Sequence, residues 1–133
     1  MRFQRAEHPA LLDGHEASRR FFESCFRAEA MHERLWVAHV DGAAHCLHVE
    51  CYDGEPESVP MPVRDIIVDA ARLGSAGVVL AHNHPSGNAE PSDADCRATR
   101  KLVRAAEALD LAILDHLIFA GGGCSSMRRM GLL

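Results

Sequence analysis

The chain has 133 residues, 47% of them apolar, with 14 Lys and Arg against 19 Asp and Glu for a formal net charge of -5. That length supports one compact domain with a real core and excludes two, and the acidic balance gives no global electrostatic reason to bind nucleic acid. No apolar run approaches the roughly 20 residues that cross a bilayer, and the N-terminus, with Glu7, Asp13 and Glu16, lacks a signal-peptide core, so a cytoplasmic protein with no membrane partner is expected.

In chain order, residues 1–13 carry no clear period and are expected to form an arm ahead of a single domain over 14–133. The spacing of Ala17, Phe21, Phe22, Cys25, Phe26 and Ala28 predicts an amphipathic helix. Residues 33–40 and 44–52 alternate around Asp41-Gly42, which predicts an antiparallel hairpin, and 55–59 is a candidate short strand. Pro60 and Pro62 lead into a helix over 63–73, ended by Gly74. A buried strand over Val78 to Ala81, a helix over 93–109 with Ser92 as a plausible N-cap, and a strand over 111–119 follow. Gly121-Gly122-Gly123 makes a turn, and a short strand or helix near Cys124 to Met130 closes the chain. Strands and helices alternate without repeats, which predicts an α/β fold with a mixed β-sheet flanked by helices.

The strongest chemical signal lies between residues 78 and 95. The strand delivers His82 and His84, two residues apart and therefore on one side of an extended chain, and Asp95 falls in the first turn of the next helix. Two imidazoles and one carboxylate are the three ligands that a catalytic zinc site uses while keeping a fourth position for water, although the set also suits iron, manganese or cobalt. The plainer alternative makes the histidines loop residues and Asp95 a favourable charge at a helix N-terminus. The odd cysteine count, Cys25, Cys46, Cys51, Cys96 and Cys124, without a C-x-x-C pair, argues against a disulfide framework or a structural zinc knuckle. A zincin would need H-E-x-x-H and a zinc deaminase H-x-E with P-C-x-x-C, and both strings are absent.

His82-x-His84-Pro85 followed by Ser92-x-x-Asp95 resembles the JAMM (MPN) metallopeptidase motif. The fuller string His82-Asn83-His84-Pro85-Ser86-Gly87, with Asp115-His116-Leu117-Ile118 and the Gly131-Leu132-Leu133 ending, is similar to its RadC-like branch. The resemblance covers the chain from about Glu33 onward and implies an α/β sandwich with a layout like that of cytidine deaminases. It also implies an amide-cleaving hydrolase acting on a peptide or protein, isopeptides included, through a water held on one Zn2+ per chain by His82, His84 and Asp95. Glu33 is implied as the general base. Glu29 and Glu50 are its rivals. Ser92 is implied as a donor to the oxyanion, a role to set beside its capping of the helix. One of Asp115 and His116 is a candidate partner for a ligand imidazole.

Two other functions stay open. Arg97, Arg100, Lys101 and Arg104 recur at helical spacing, either as a solvated face or as a phosphate-binding stripe of a DNA-processing accessory protein. Nothing ahead of the domain resembles the helix-hairpin-helix region of longer members, so a separate DNA-binding module is not expected. The third possibility is a catalytically silent MPN scaffold, against which the complete ligand set argues. Substrate identity and oligomeric state are not legible in the chain.

Overall fold

The computed structural model describes residues 9–26, 32–54 and 60–133. The arm before residue 9, Glu29, the last part of the expected first helix and the expected strand at 55–59 lie outside those residues.

Among the described residues, three α-helices and five strands follow in the order α1 (His15–Glu23), β1 (Arg34–Val40), β2 (Cys46–Asp53), α2 (Val63–Leu73), β3 (Gly77–Asn83), α3 (Asp93–Glu107), β4 (Ala112–Ala120) and β5 (Gly123–Ser126). The strands form one mixed sheet in the order β2-β1-β3-β4-β5. Only β3 and β4 run parallel, and α3 is the crossover between them. The central strand β3 is buried along its whole length, as its unbroken apolar run predicts.

Alternation along the strands splits the core in two. Leu35, Val37, Val78 and Leu80 face Ile66 and Ala70 of α2 and Leu102 and Ala106 of α3. Ala38, Val40, Val79 and Ala81 face the other way, onto Leu12 and Phe22, together with Leu117 and Phe119. The result is a sheet with α2 and α3 on one face and α1 on the other. Among the described residues no helix is long and apolar enough to cross a membrane.

Several local expectations hold in detail. Helix α2 spans 63–73 and ends at Gly74, whose φ of 66° is the left-handed conformation that stops a helix cheaply only at glycine. The β1–β2 hairpin forms, but its connection is not a two-residue turn on Asp41-Gly42. The loop runs over 41–45, where the Asp41 carboxylate accepts from the Ala43 and His45 amides, and Ala44, not Gly42, takes positive φ. An aspartate that satisfies the loop amides itself stabilises a longer turn. The lead-in is also less irregular than its sequence suggests, since Leu11 bridges His45, the Leu12 amide donates to the Ala44 carbonyl and the Leu12 side chain is buried.

Candidate metal centre

His82 occupies the penultimate position of β3, and His84 follows one residue past its end. Asp95 reaches the same spot from α3, because Ser92 fixes where that helix begins. The Ser92 Oγ accepts from the Asp95 amide at 3.0 Å while the Asp95 Oδ2 accepts from the Ser92 amide at 2.8 Å, a reciprocal capping box. This cap uses an acceptor lone pair of Ser92, not its hydroxyl proton. Capping therefore does not by itself preclude donation by that hydroxyl.

The three side chains converge tightly. His82 Nε2 lies 2.9 Å from His84 Nε2 and 3.5 Å from Asp95 Oδ1, and His84 Nε2 lies 3.1 Å from Asp95 Oδ2. Bonds of about 2.0–2.1 Å to a tetrahedral ion place its ligands roughly 3.3 Å apart, so this spacing suits a small divalent cation. His84 Nδ1 is 2.8 Å from the Asn88 carbonyl, which can only accept, so that nitrogen carries the proton and Nε2 presents a lone pair. Asp95 likewise offers only lone pairs when ionised. Burial alone would raise its carboxyl, but the adjoining His82 and the hydrogen bonds of Ser92 outweigh it and hold the group far below the usual carboxylate range. His82, His84 and Asp95 thus form a group that could hold a metal ion, one ligand atom each. Beside them a void of ≈ 20 Å³, bounded by His82, Asp95 and His116, has room for one water-sized sphere.

The site opens to solvent through a groove of ≈ 940 Å³ lined by Glu33, Met61, His84, Ser92, Asp95 and Ala98 among others. Glu33, just before β1 and only 9% exposed, joins the same groove as His84 and Asp95 although it lies far from them in sequence. Asn83 explains how it is brought there. Its side chain points away from the converging imidazoles, accepts from the Arg34 amide at 2.8 Å and donates to the His32 carbonyl at 3.3 Å. One amide side chain thereby ties the backbone on both sides of Glu33 to the strand that carries His82. Glu50, the rival base, lies instead on β2 beside His48, with 3.0 Å between its Oε2 and the ring Nε2, and does not line the groove. Cys96 does not line it either.

The Asp115-His116 pair divides. His116 faces the site, its Nε2 2.6 Å from His82 Nδ1, and it is wholly buried, which together with the nearby His82 charge pushes its pKa well below the ordinary imidazole value. Asp115 faces the other side of the sheet and accepts from the Ser126 hydroxyl and the His116 and Arg128 amides, fastening β5 and the turn after it. Thr99, which the sequence did not single out, completes the cluster at 2.7 Å from His116 Nδ1. Its only advance signal is its position four residues after Asp95, a polar residue on the apolar stripe of α3. The basic residues Arg97, Arg100, Lys101 and Arg104 are all exposed on that helix, on the side turned away from the stripe.

A family model described as the RadC-like JAB domain matches residues 12–132. The match spans every strand and helix described above and includes the converging histidines and aspartate. With nearly the whole chain covered, this protein belongs to the RadC-like JAB domain family.

Proposed function

We propose that this protein is a metal-dependent hydrolase that cleaves an amide bond in a peptide or protein substrate, with zinc as its metal. The observation that carries this reading is the convergence of His84 Nε2, His82 Nε2 and the Asp95 carboxylate at the spacing of a small cation's ligands, at the inner end of an open groove. A divalent cation held there supplies positive charge that polarises a substrate carbonyl and makes water nucleophilic at neutral pH.

The chain's own residues do the rest. Glu33, walled into the groove and fixed by the Asn83 clamp, takes the proton from the attacking water and delivers it to the leaving amine. Ser92 keeps its hydroxyl proton after capping α3 and donates it to the oxygen on which negative charge develops, a contact worth roughly 3 kcal/mol of barrier. The groove is open and partly apolar, with Pro60, Met61, Pro85 and Pro91 on its walls, which suits an extended peptide.

Elemental analysis of the purified protein beside His82→Ala, His84→Ala and Asp95→Ala is the first test. About one zinc per chain is expected, lost in each variant while the fold is retained. Zinc-loaded protein should then cleave members of a peptide and isopeptide library, with Glu33→Gln still binding zinc and turning over at least ~100-fold more slowly. Wild-type protein that takes up no metal after reconstitution, or cleaves nothing where Glu33→Gln serves as the blank, would overturn the reading.

A further inference from the structure

We propose that Thr99 and His116 are positioning residues that hold His82 as its Nδ1–H tautomer, with the Nε2 lone pair turned toward His84 and Asp95, an inference that rests on the metal reading of that site. The contacts form an unbroken line across three elements. Thr99 Oγ1 on α3 lies 2.8 Å from the Asp95 carbonyl and 2.7 Å from His116 Nδ1 on β4, and His116 Nε2 lies 2.6 Å from His82 Nδ1 on β3.

Proton accounting along this line gives a definite answer. A helical threonine hydroxyl commonly donates to the carbonyl four residues back, which here belongs to Asp95. With its proton so committed, Thr99 Oγ1 can only accept, and the proton between it and His116 sits on the imidazole Nδ1. Among the described residues the buried His116 ring meets only Thr99 at Nδ1 and His82 at Nε2, so with Nδ1 donating to Thr99 the 2.6 Å contact to His82 is closed by accepting at His116 Nε2. His82 must then donate from Nδ1. Its remaining nitrogen, Nε2, is the one aimed at the point already faced by His84 Nε2 and Asp95, where a ligand atom is needed.

The opposite order shows what Thr99 decides. Were its hydroxyl turned to donate to His116 Nδ1, His116 would donate from Nε2 to His82 Nδ1, and His82 would place an N–H into the site where a ligand atom is needed. His84 is protected from this ambiguity by a backbone carbonyl, whereas His82 depends on two side chains. Thr99 is fully buried, and its i−4 bond ties the tautomer to the same helix that presents Asp95.

Two readouts on the full-length chain test this without a substrate. Imidazole 15N–1H spectra of the metal-free protein should show the His82 proton on Nδ1 in wild type and in Thr99→Ser, and no longer confined there in Thr99→Val. Zinc affinity, measured against a competing chelator, should fall ~10- to 100-fold in Thr99→Val and His116→Leu. Thr99→Ser should keep it, and His116→Gln, whose amide oxygen can accept from His82, should restore part of it, with thermal unfolding confirming that each variant folds. A His82 proton on Nε2 in wild type, or zinc affinity unchanged in both Thr99→Val and His116→Leu, would overturn the inference. Wild type that takes up no metal yet carries the His82 proton on Nδ1 would sink the hydrolase reading and support the tautomer lock. Tight zinc binding that ignores both substitutions would do the reverse.

Discussion

The protein buries two groups of histidines on the same face of its sheet and treats them in opposite ways. Around His82, His84 and His116 every ring nitrogen has a partner, and the contacts converge beside the Asp95 carboxylate. Around His39, on β1, the ring is equally buried but only Nδ1 is matched, 3.0 Å from the Ser75 hydroxyl, while Nε2 has no partner among the described residues. Burial, with a smaller contribution from the nearby His48 charge, drives the His39 pKa down to about 4. One group leaves a ring nitrogen unmatched as packing, and the other brings its imidazoles together with a carboxylate at a point that could hold a cation. Burial of histidine alone therefore says little about chemistry. What separates the two is whether the neighbours dictate where each proton sits.

The largest effect that separates them is metal affinity. Replacing His82, His84 or Asp95 by alanine should lower it by more than the ~10- to 100-fold cost of losing an outer partner, whereas His39→Phe should leave it untouched, as a chelator competition would show. The next difference is the share of pH dependence that His39 contributes away from the site, beside that of the buried His116. Between its ordinary value of 6.5 and its folded value of about 4, the unfolded chain takes up a proton that the folded one refuses, so this stability is present above pH 6.5 and is lost as pH falls toward 4. At ~1.4 kcal/mol per unit the loss is at most about 3 kcal/mol, and it should vanish in His39→Phe when denaturation midpoints are compared across that window. Asn83→Leu removes both ties that flank Glu33 and should cost about 1–3 kcal/mol in denaturant unfolding while zinc binding persists. Loss of zinc in that variant would mean that the clamp serves the ligands rather than Glu33. Ser92→Ala should cost about 1 kcal/mol of stability through the lost helix cap, and Ser92→Asn, which can still cap, should recover most of it without recovering turnover.

How much of this was legible in the chain follows from the range of each interaction. His82, His84 and Asp95 could be named because a strand end and a capped helix start are local events, each written in a few adjacent residues. The bounds of α2 were readable for the same reason, since Gly74 marks its end. Thr99 and His116 were harder, because their meeting is set by the parallel pairing of β3 with β4, where a register irregularity at Val78/Val79 decides that His116 lies beside Leu80. No sequence period reports a bulge. Hence Asp115 and His116 could not be told apart in advance, although adjacent residues on a strand must face opposite sides. The 41–45 loop shows the converse, a strong local turn signal overridden by a carboxylate that serves two amides.

The parallel pairing of β3 with β4 also sets when the site can exist. The His82–His116 contact spans 34 residues and the Asn83–Arg34 contact 49, so neither forms until distant segments have been brought together at the expense of chain entropy. An unfolded chain therefore lacks the contacts that hold the ligands in place, and an ion that binds only the completed fold shifts the folding equilibrium by mass action, by about 2.7 kcal/mol at a free concentration 100 times its Kd. Metal held there would then add to the stability of the fold, and its removal would appear as a lower unfolding midpoint.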